Sequence, residues 1–348
     1  MSETPAENQA IAVPGYTHQH AGHCESGVTA QLFALGGVPL SEPMIFGIGA
    51  GVFFAHFSFV RIMGHPLTTF RSLPGGIFKG ACKRLGIPFA RETFRSPERG
   101  MSRLDALLAQ GKRVGLQVNI YWLPYIPRPM RVHFNGHNLI VVEKRGEEYV
   151  ISDPVMDRLF TCPTAALRRA RFSGTHALMP RGLLYYPQEF SGEGALEKAV
   201  TGGIREVCFR MQRIPAVFPW MGVRGIRHLA RQIDGWPRRL GTEKSREWLA
   251  GVVRMQEEIG TGGAGFRFIY AAFLQEAGEK LNWPELSAMS APMTAVGDRW
   301  RGFAVHASRL ARGRTDVEWA GLSPILEGIA VAEAEVFREL EDVVRRRR

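Results

Sequence analysis

Val28, Leu32 and Leu35 recur at i, i+4 and i+7, so the spacing predicts an amphipathic helix with one inward face, and Gly36-Gly37 supplies its stop. A Gly- and Pro-rich stretch then runs to about Gly76. Within it, residues 44 to 60 are apolar but broken by His56, Ser58 and several glycines. That run is shorter than the roughly 20 residues a membrane span needs, and it is expected to be buried core. Helices are predicted from Gly80 and over 102–110. Residues 114 to 121 alternate, with Gln117, Asn119 and Tyr121 on one face and Val118 and Ile120 on the other, as in a strand. The β-branched runs 137–143 and 148–152 flank Lys144-Arg145-Gly146-Glu147 and read as a hairpin. Residues 155–190 finish this part of the chain, and Ser191-Gly192-Glu193-Gly194 reads as a linker. Beyond it the pattern is helical: 242–258 with Thr242 as cap, 266–281, a helix with Pro284 in its first turn, and a last long one opened by Ser323-Pro324. The predicted fold class is α+β, with an antiparallel-sheet domain over residues 1–190 and an α-helical domain over 191–348.

Candidate chemistry falls on these elements. Cys24, in Gly22-His23-Cys24-Glu25-Ser26-Gly27, stands at the start of the first helix, where unpaired N–H groups and the dipole favour a thiolate. Folding the hairpin about Arg145-Gly146 brings His137 within about one residue of Asp153, although a one-residue slip would turn them to opposite faces. With the two on one face, Asp153 orients His137 and His137 acts as base toward Cys24. Taken singly, a free cysteine is more often a small buried hydrophobe and an Asp before Pro a turn former. Order, spacing and context together favour the nucleophile. Gln117, Asn119 and Tyr121 could line a substrate pocket beside the His137 strand, or be the wet face of a one-sided sheet. Glu42 could hold a substrate ammonium, or serve as a loop carboxylate or helix cap.

The remaining signals mostly exclude. The chain of 348 residues is long enough for two cores, and the polar first 15 residues lack a signal-peptide order, so a cytoplasmic protein is expected. Cys24, Cys82, Cys162 and Cys208 are scattered, which fits reduced thiols. His18, His20, His23, Cys24, His133 and His137 include metal-ligating types, but their spacing is loose and zinc would consume both nucleophile and base; no metal is expected. Residues 260–265 fit GxGxxG formally, yet they follow a helical pattern, so a helix-to-helix turn is expected, with Arg267 in a surface ion pair. The net charge of +11 favours acidic partners. The basic residues are dispersed and carry no nucleic-acid signature, and the run 345–348 closes a helix as solvated charge.

Gly22-His23-Cys24-Glu25-Ser26, Leu40-Ser41-Glu42-Pro43-Met44 and Phe46-Gly47-Ile48-Gly49, with Leu123-Pro124-Tyr125, Gly136-His137 and Ser152-Asp153-Pro154, resemble the N-terminal domain of the butirosin biosynthesis protein H family. Ile259-Gly260-Thr261-Gly262-Gly263, Phe266-Arg267 and Phe273-Leu274 are similar to its helical companion domain. The resemblance implies a papain-like, cysteine-peptidase-type N-terminal domain and an acyltransferase of specialised metabolite biosynthesis. An acyl group would pass from an acyl carrier protein or coenzyme A thioester through Cys24 to an amine, with no cofactor beyond the phosphopantetheine the partner carries. Catalytic roles fall on Cys24, His137 and Asp153. Papain-like relatives place an oxyanion-stabilising Gln six residues before the cysteine; here His18 holds that position, and Gln19 follows. The same machinery would serve a thioesterase, amidase or peptidase, and the fold without catalysis would serve as a carrier-binding scaffold.

Overall fold

The structure, a computed structural model, describes residues 11–62, 64–174, 180–189, 195–214, 217–259, 262–314 and 318–347. The chain forms two compact units that interleave in sequence. Met1–Glu42 with Ile87–Gly192 make the first, and Pro43–Gly86 with Glu193–Arg348 the second. The contiguous domains expected at 1–190 and 191–348 are corrected on this point. The apolar run from Met44 packs with the helical unit: Phe46 stacks on Phe266, and a Cβ on Gly47 would overlap the Phe273 ring. The expected linker at Ser191–Gly194 lies outside the described residues.

In chain order the first half holds α1 (Cys24–Leu35), α2 (Glu42–Ile48), β1 (Val52–Ile62), β2 (His65–Arg71), α3 (Gly76–Leu85), β3 (Phe89–Glu92), α4 (Pro97–Ala109) and β4 (Val114–Val118). Next come β5 (His137–Arg145), β6 (Glu148–Ser152), β7 (Leu159–Pro163), α5 (Thr164–Phe172) and β8 (Leu184–Pro187). The rest is helical: α6 (Leu196–Cys208), α7 (Gly222–Ile233), α8 (Trp236–Leu240), α9 (Thr242–Glu257), α10 (Arg267–Lys280), α11 (Pro284–Ala288), α12 (Ser290–Ala311) and α13 (Leu322–Arg346). The fold is α+β, as expected. Among the described residues no helix is long and apolar enough to cross a membrane.

The first unit is built on a six-stranded antiparallel sheet in the order β3-β8-β4-β5-β6-β7. Side chains alternate between its faces. Leu116, Val118, Leu139, Val141, Tyr149 and Ile151 form a core with Leu104 and Leu107 of α4 and Leu167 of α5. Residues of opposite parity, among them Asn138 and Ser152, turn to the face carrying α1, where Ser152 Oγ donates to Gln31. The α1 helix is not amphipathic as expected. Residues 24–33 are all buried, and the buried polar groups find partners: Thr29 donates to the Glu25 carbonyl and Gln31 to the Thr17 carbonyl.

In the second unit the stretch read as Gly- and Pro-rich holds an antiparallel ribbon, β1–β2, whose register shifts twice, between Val52 and Ala55 and between Phe57 and Arg61. Those irregularities break the period-2 pattern that marks a strand in sequence. The glycine-rich segment read as a helix-to-helix turn joins α9 to α10 by a short turn; Gly260 and Thr261 lie outside the described residues. Arg267, expected in a surface pair, is instead fully buried and bonded to Glu333 at 2.7 Å, while Trp300 Nε1 donates to the same carboxylate at 2.7 Å. Burial of this pair is possible because the guanidinium also donates to the Gly265 carbonyl and each charge is hydrogen-bonded.

Candidate active site

His23 caps α1 through an unusual acceptor, its ring Nδ1, which takes the Ser26 N–H at 3.3 Å. Glu42 secures the same turn. Its carboxylate accepts from Gly22 N–H (2.8 Å), His23 N–H (2.7 Å) and Ser26 Oγ (3.0 Å). Burial pushes the Glu42 carboxyl above its ordinary range, outweighing those three donors. Both oxygens serve the backbone leading into Cys24, so Glu42 clamps that turn. From the other side, Ala21 N–H donates to the Pro154 carbonyl at 2.7 Å. A Cβ on Gly27 would lie 2.5 Å from Ala21 Cβ and 3.0 Å from Pro154 Cβ, so only glycine lets α1 approach this loop.

The hairpin delivers the other two groups. Arg145 pairs with Glu148, Lys144 with Tyr149 and Glu143 with Val150, but Val141 pairs with Ile151 and Ile140 with Ser152. Val142 is therefore a bulge, and one residue beyond β6, Asp153 falls opposite Leu139, on the parity of His137. Without the bulge it would fall opposite Ile140 and turn to the far face. His137 Nε2 donates to Asp153 Oδ2 at 2.7 Å, with both side chains buried. With Nε2 committed to Asp153, Nδ1 is the ring nitrogen left for the Cys24 sulfur, which interacts with His137. Burial alone would lower the His137 pKa, but the Asp153 charge, its hydrogen bond and the contact with Cys24 prevail and push it up to about 10.

Tyr125, Val155, Asn138 and Tyr185 complete the surroundings. Tyr125 donates its hydroxyl to Asp153 Oδ2 at 2.9 Å, and burial followed by the Asp153 charge holds that phenol well above its usual range, so it stays a donor. Val155 N–H donates to Oδ1 at 3.2 Å. Asn138 turns to the α1 face, and its Nδ2 stands 3.7 Å from Cys24 Sγ and donates to the Gly136 carbonyl at 3.0 Å. Tyr185 donates to Asn138 Oδ1 at 2.8 Å. Gly115 opposes Tyr185 on the neighbouring strand, and its missing Cβ makes room for that ring.

The other sequence candidates sit elsewhere. His18 bonds Ser152 Oγ through Nδ1 (2.8 Å) and the Met156 carbonyl through Nε2 (2.9 Å), so both ring nitrogens are committed away from an oxyanion; Gln19 is exposed. Gln117 and Asn119 do not form an open polar wall: both are buried and both donate to Asn135, in the loop that leads into His137. Tyr121 lies in the short turn after Asn119 and stacks on His133. Among the described residues no three His, Cys, Asp or Glu side chains group as metal ligands. None of the four cysteines forms a disulfide. Burial pushes Cys82, Cys162 and Cys208 up to about 12, whereas Cys24 keeps 7% of its surface and faces His137.

Residues 165–340 match the family described as Domain of unknown function (DUF4872). The chain belongs to that family. Residues 23–154 match the family described as Butirosin biosynthesis protein H, N-terminal, the family that the sequence resembles, and the first match follows it along the chain. That match reaches from the residue before Cys24 to the residue after Asp153, so Cys24, His137 and Asp153 lie inside it. No curated protein matches the chain. Among solved structures, one titled as a putative C39-like peptidase from Bacillus anthracis is similar at 13% identity and a TM-score of 0.37, covering 53% of this chain and 100% of that one.

Proposed function

We propose that this member of the DUF4872 family is a cysteine-dependent acyltransferase that moves an acyl group from a carrier-bound or coenzyme A thioester to an amine. The family match and the site support a cysteine enzyme of biosynthesis. The observation that carries the reading is the buried chain Cys24, His137, Asp153, with His137 raised to about 10, so that the imidazole holds a proton at neutral pH opposite the sulfur.

The Cys24 thiolate attacks the thioester carbonyl, forming the S–C bond and an oxyanion. The intermediate collapses by breaking the old C–S bond, and His137 gives its proton to the departing thiolate. A neutral amine then attacks the acyl-Cys24 carbonyl, and the neutral His137 takes the proton from its nitrogen. Expulsion of the Cys24 thiolate releases the amide and restores the starting pair. Asp153 keeps Nε2 protonated and Nδ1 directed at sulfur through both steps, and Tyr125 and Val155 hold Asp153. The resemblance nominates an acyl carrier protein as donor, and the net charge of +11 suits so acidic a partner.

The test is product analysis on carrier and coenzyme A thioesters with and without an amine panel. Amide that forms with added amine and vanishes in Cys24→Ala supports transfer. Free acid at a rate indifferent to amine makes the protein a hydrolase instead.

A further inference from the structure

We infer that Asn138 supplies the side-chain half of the oxyanion hole, a role resting on the reading of Cys24 as a carbonyl-attacking nucleophile. The oxyanion formed when Cys24 attacks a carbonyl needs a fixed donor about 2.7–3.1 Å from its oxygen. His18, at the position where papain-like relatives carry a glutamine, cannot give one, because Ser152 and Met156 engage both its ring nitrogens. Asn138 is the side-chain amide set against the sulfur, with Nδ2 at 3.7 Å from Sγ.

Its orientation is fixed by its neighbours. The Tyr185 hydroxyl donates to Oδ1, and one Nδ2 proton goes to the Gly136 carbonyl. The opposite flip would set Oδ1 against that carbonyl and the thiolate, acceptor against acceptor. The second Nδ2 proton is therefore directed toward sulfur. It can meet the oxygen that develops on the carbon bonded to Sγ, alongside the Cys24 N–H in the first turn of α1. Tyr185 is a positioning residue, seated over Gly115 with its hydroxyl on Oδ1, the end of the amide away from the sulfur.

Two reagents separate this role from support of the thiolate. Iodoacetamide alkylates sulfur by displacement and makes no oxyanion; p-nitrophenyl acetate acylates it through one. Rates of Cys24 modification by each are followed by intact mass in the full chain, in Asn138→Ala and in Tyr185→Phe, with circular dichroism to confirm folding. Loss of an oxyanion donor costs about 10²–10³-fold. Asn138→Ala is expected to slow acetylation by that order while alkylation and its pH profile stay within about threefold, and Tyr185→Phe to slow acetylation by about three- to tenfold. Equal losses with both reagents would assign Asn138 to the thiolate and overturn the proposal, as would no loss with either. Should Asn138→Ala not fold, the Tyr185→Phe ratio decides on the same terms. Acetylation of the unaltered chain, combined with failure of every carrier thioester, would remove the acyl-donor reading and leave this one standing; alkylation without acetylation would overturn both.

Discussion

Asp153 Oδ2 lies 2.7 Å from His137 Nε2 because the β5–β6 ladder slips by one residue at Val142. The bulge converts a pairing that would separate the two side chains onto opposite faces into one that joins them. Its consequence is electrostatic: with Asp153 on its own face, His137 holds its proton up to about pH 10. A histidine raised in the folded state contributes stability that is fully present below its unfolded pKa of about 6.5 and is lost as pH rises through about 10. Thermal stability of the wild type is therefore expected to fall across that window, and Asp153→Asn to flatten the fall. The upper limb of the acylation pH profile, which needs the imidazolium proton, should move to lower pH in the same variant.

Thiol reactivity should single out one residue. Iodoacetamide at neutral pH is expected to modify Cys24 in the folded protein and to leave Cys82, Cys162 and Cys208, each pushed up to about 12, unmodified until denaturant is added. Peptide mapping after a short exposure reads this directly; a second cysteine labelled at a comparable rate would contradict it.

Glu42 distinguishes a structural clamp from a substrate site. Glu42→Ala leaves the Gly22 and His23 N–H groups and the Ser26 hydroxyl without their acceptor, which should destabilise the protein by about 1–3 kcal/mol. A clamp also slows acylation of Cys24 in the absence of any amine. If Glu42 held the acceptor ammonium, only the amine-dependent discharge would suffer, with a raised KM for amine.

Gly27 tests how closely α1 must approach the Asp153 loop. The alanine Cβ would meet Ala21 and Pro154 at 2.5 and 3.0 Å, so Gly27→Ala is expected to cost about 1–3 kcal/mol by chemical denaturation. Because the same contact sets Cys24 against Asp153-Pro154, acylation should fall more steeply than stability alone would dictate.

Cys24, His137 and Asp153 are legible in the sequence because each sits at an element boundary that leaves a local mark. Cys24 opens a helix stopped by Gly36-Gly37, His137 opens a β-branched run, and Asp153 closes its hairpin partner. Whether His137 and Asp153 share a face could not be read, since the decisive bulge at Val142 sits in a run of uniformly apolar residues where one position looks like the next. Asn138 is hidden in the sequence for a related reason. Beside His137 on a strand it is assigned to the other face, and only the placement of Cys24 at the end of the sheet lets both neighbours reach the sulfur. For Glu42, Gln117 and Asn119 the sequence marks a polar side chain but not its partner, and their partners are backbone groups of Gly22, His23 and Asn135, the Ser26 hydroxyl and the Asn135 side chain. The interleaving of the units leaves no mark in the sequence, because a contiguous polar stretch reads as a boundary whereas the excursion from Pro43 to Gly86 has no such marker.

The central claim is that Cys24 carries the acyl group. Intact-mass analysis of the protein after incubation with a panel of carrier-protein and coenzyme A thioesters tests it most directly. The expected result is one acyl adduct per chain, absent in Cys24→Ala, slowed in His137→Ala, and discharged when the acceptor amine is added. Turnover of thioester to amide that persists in Cys24→Ala, or a full panel that yields neither adduct nor thioester loss, would contradict the account.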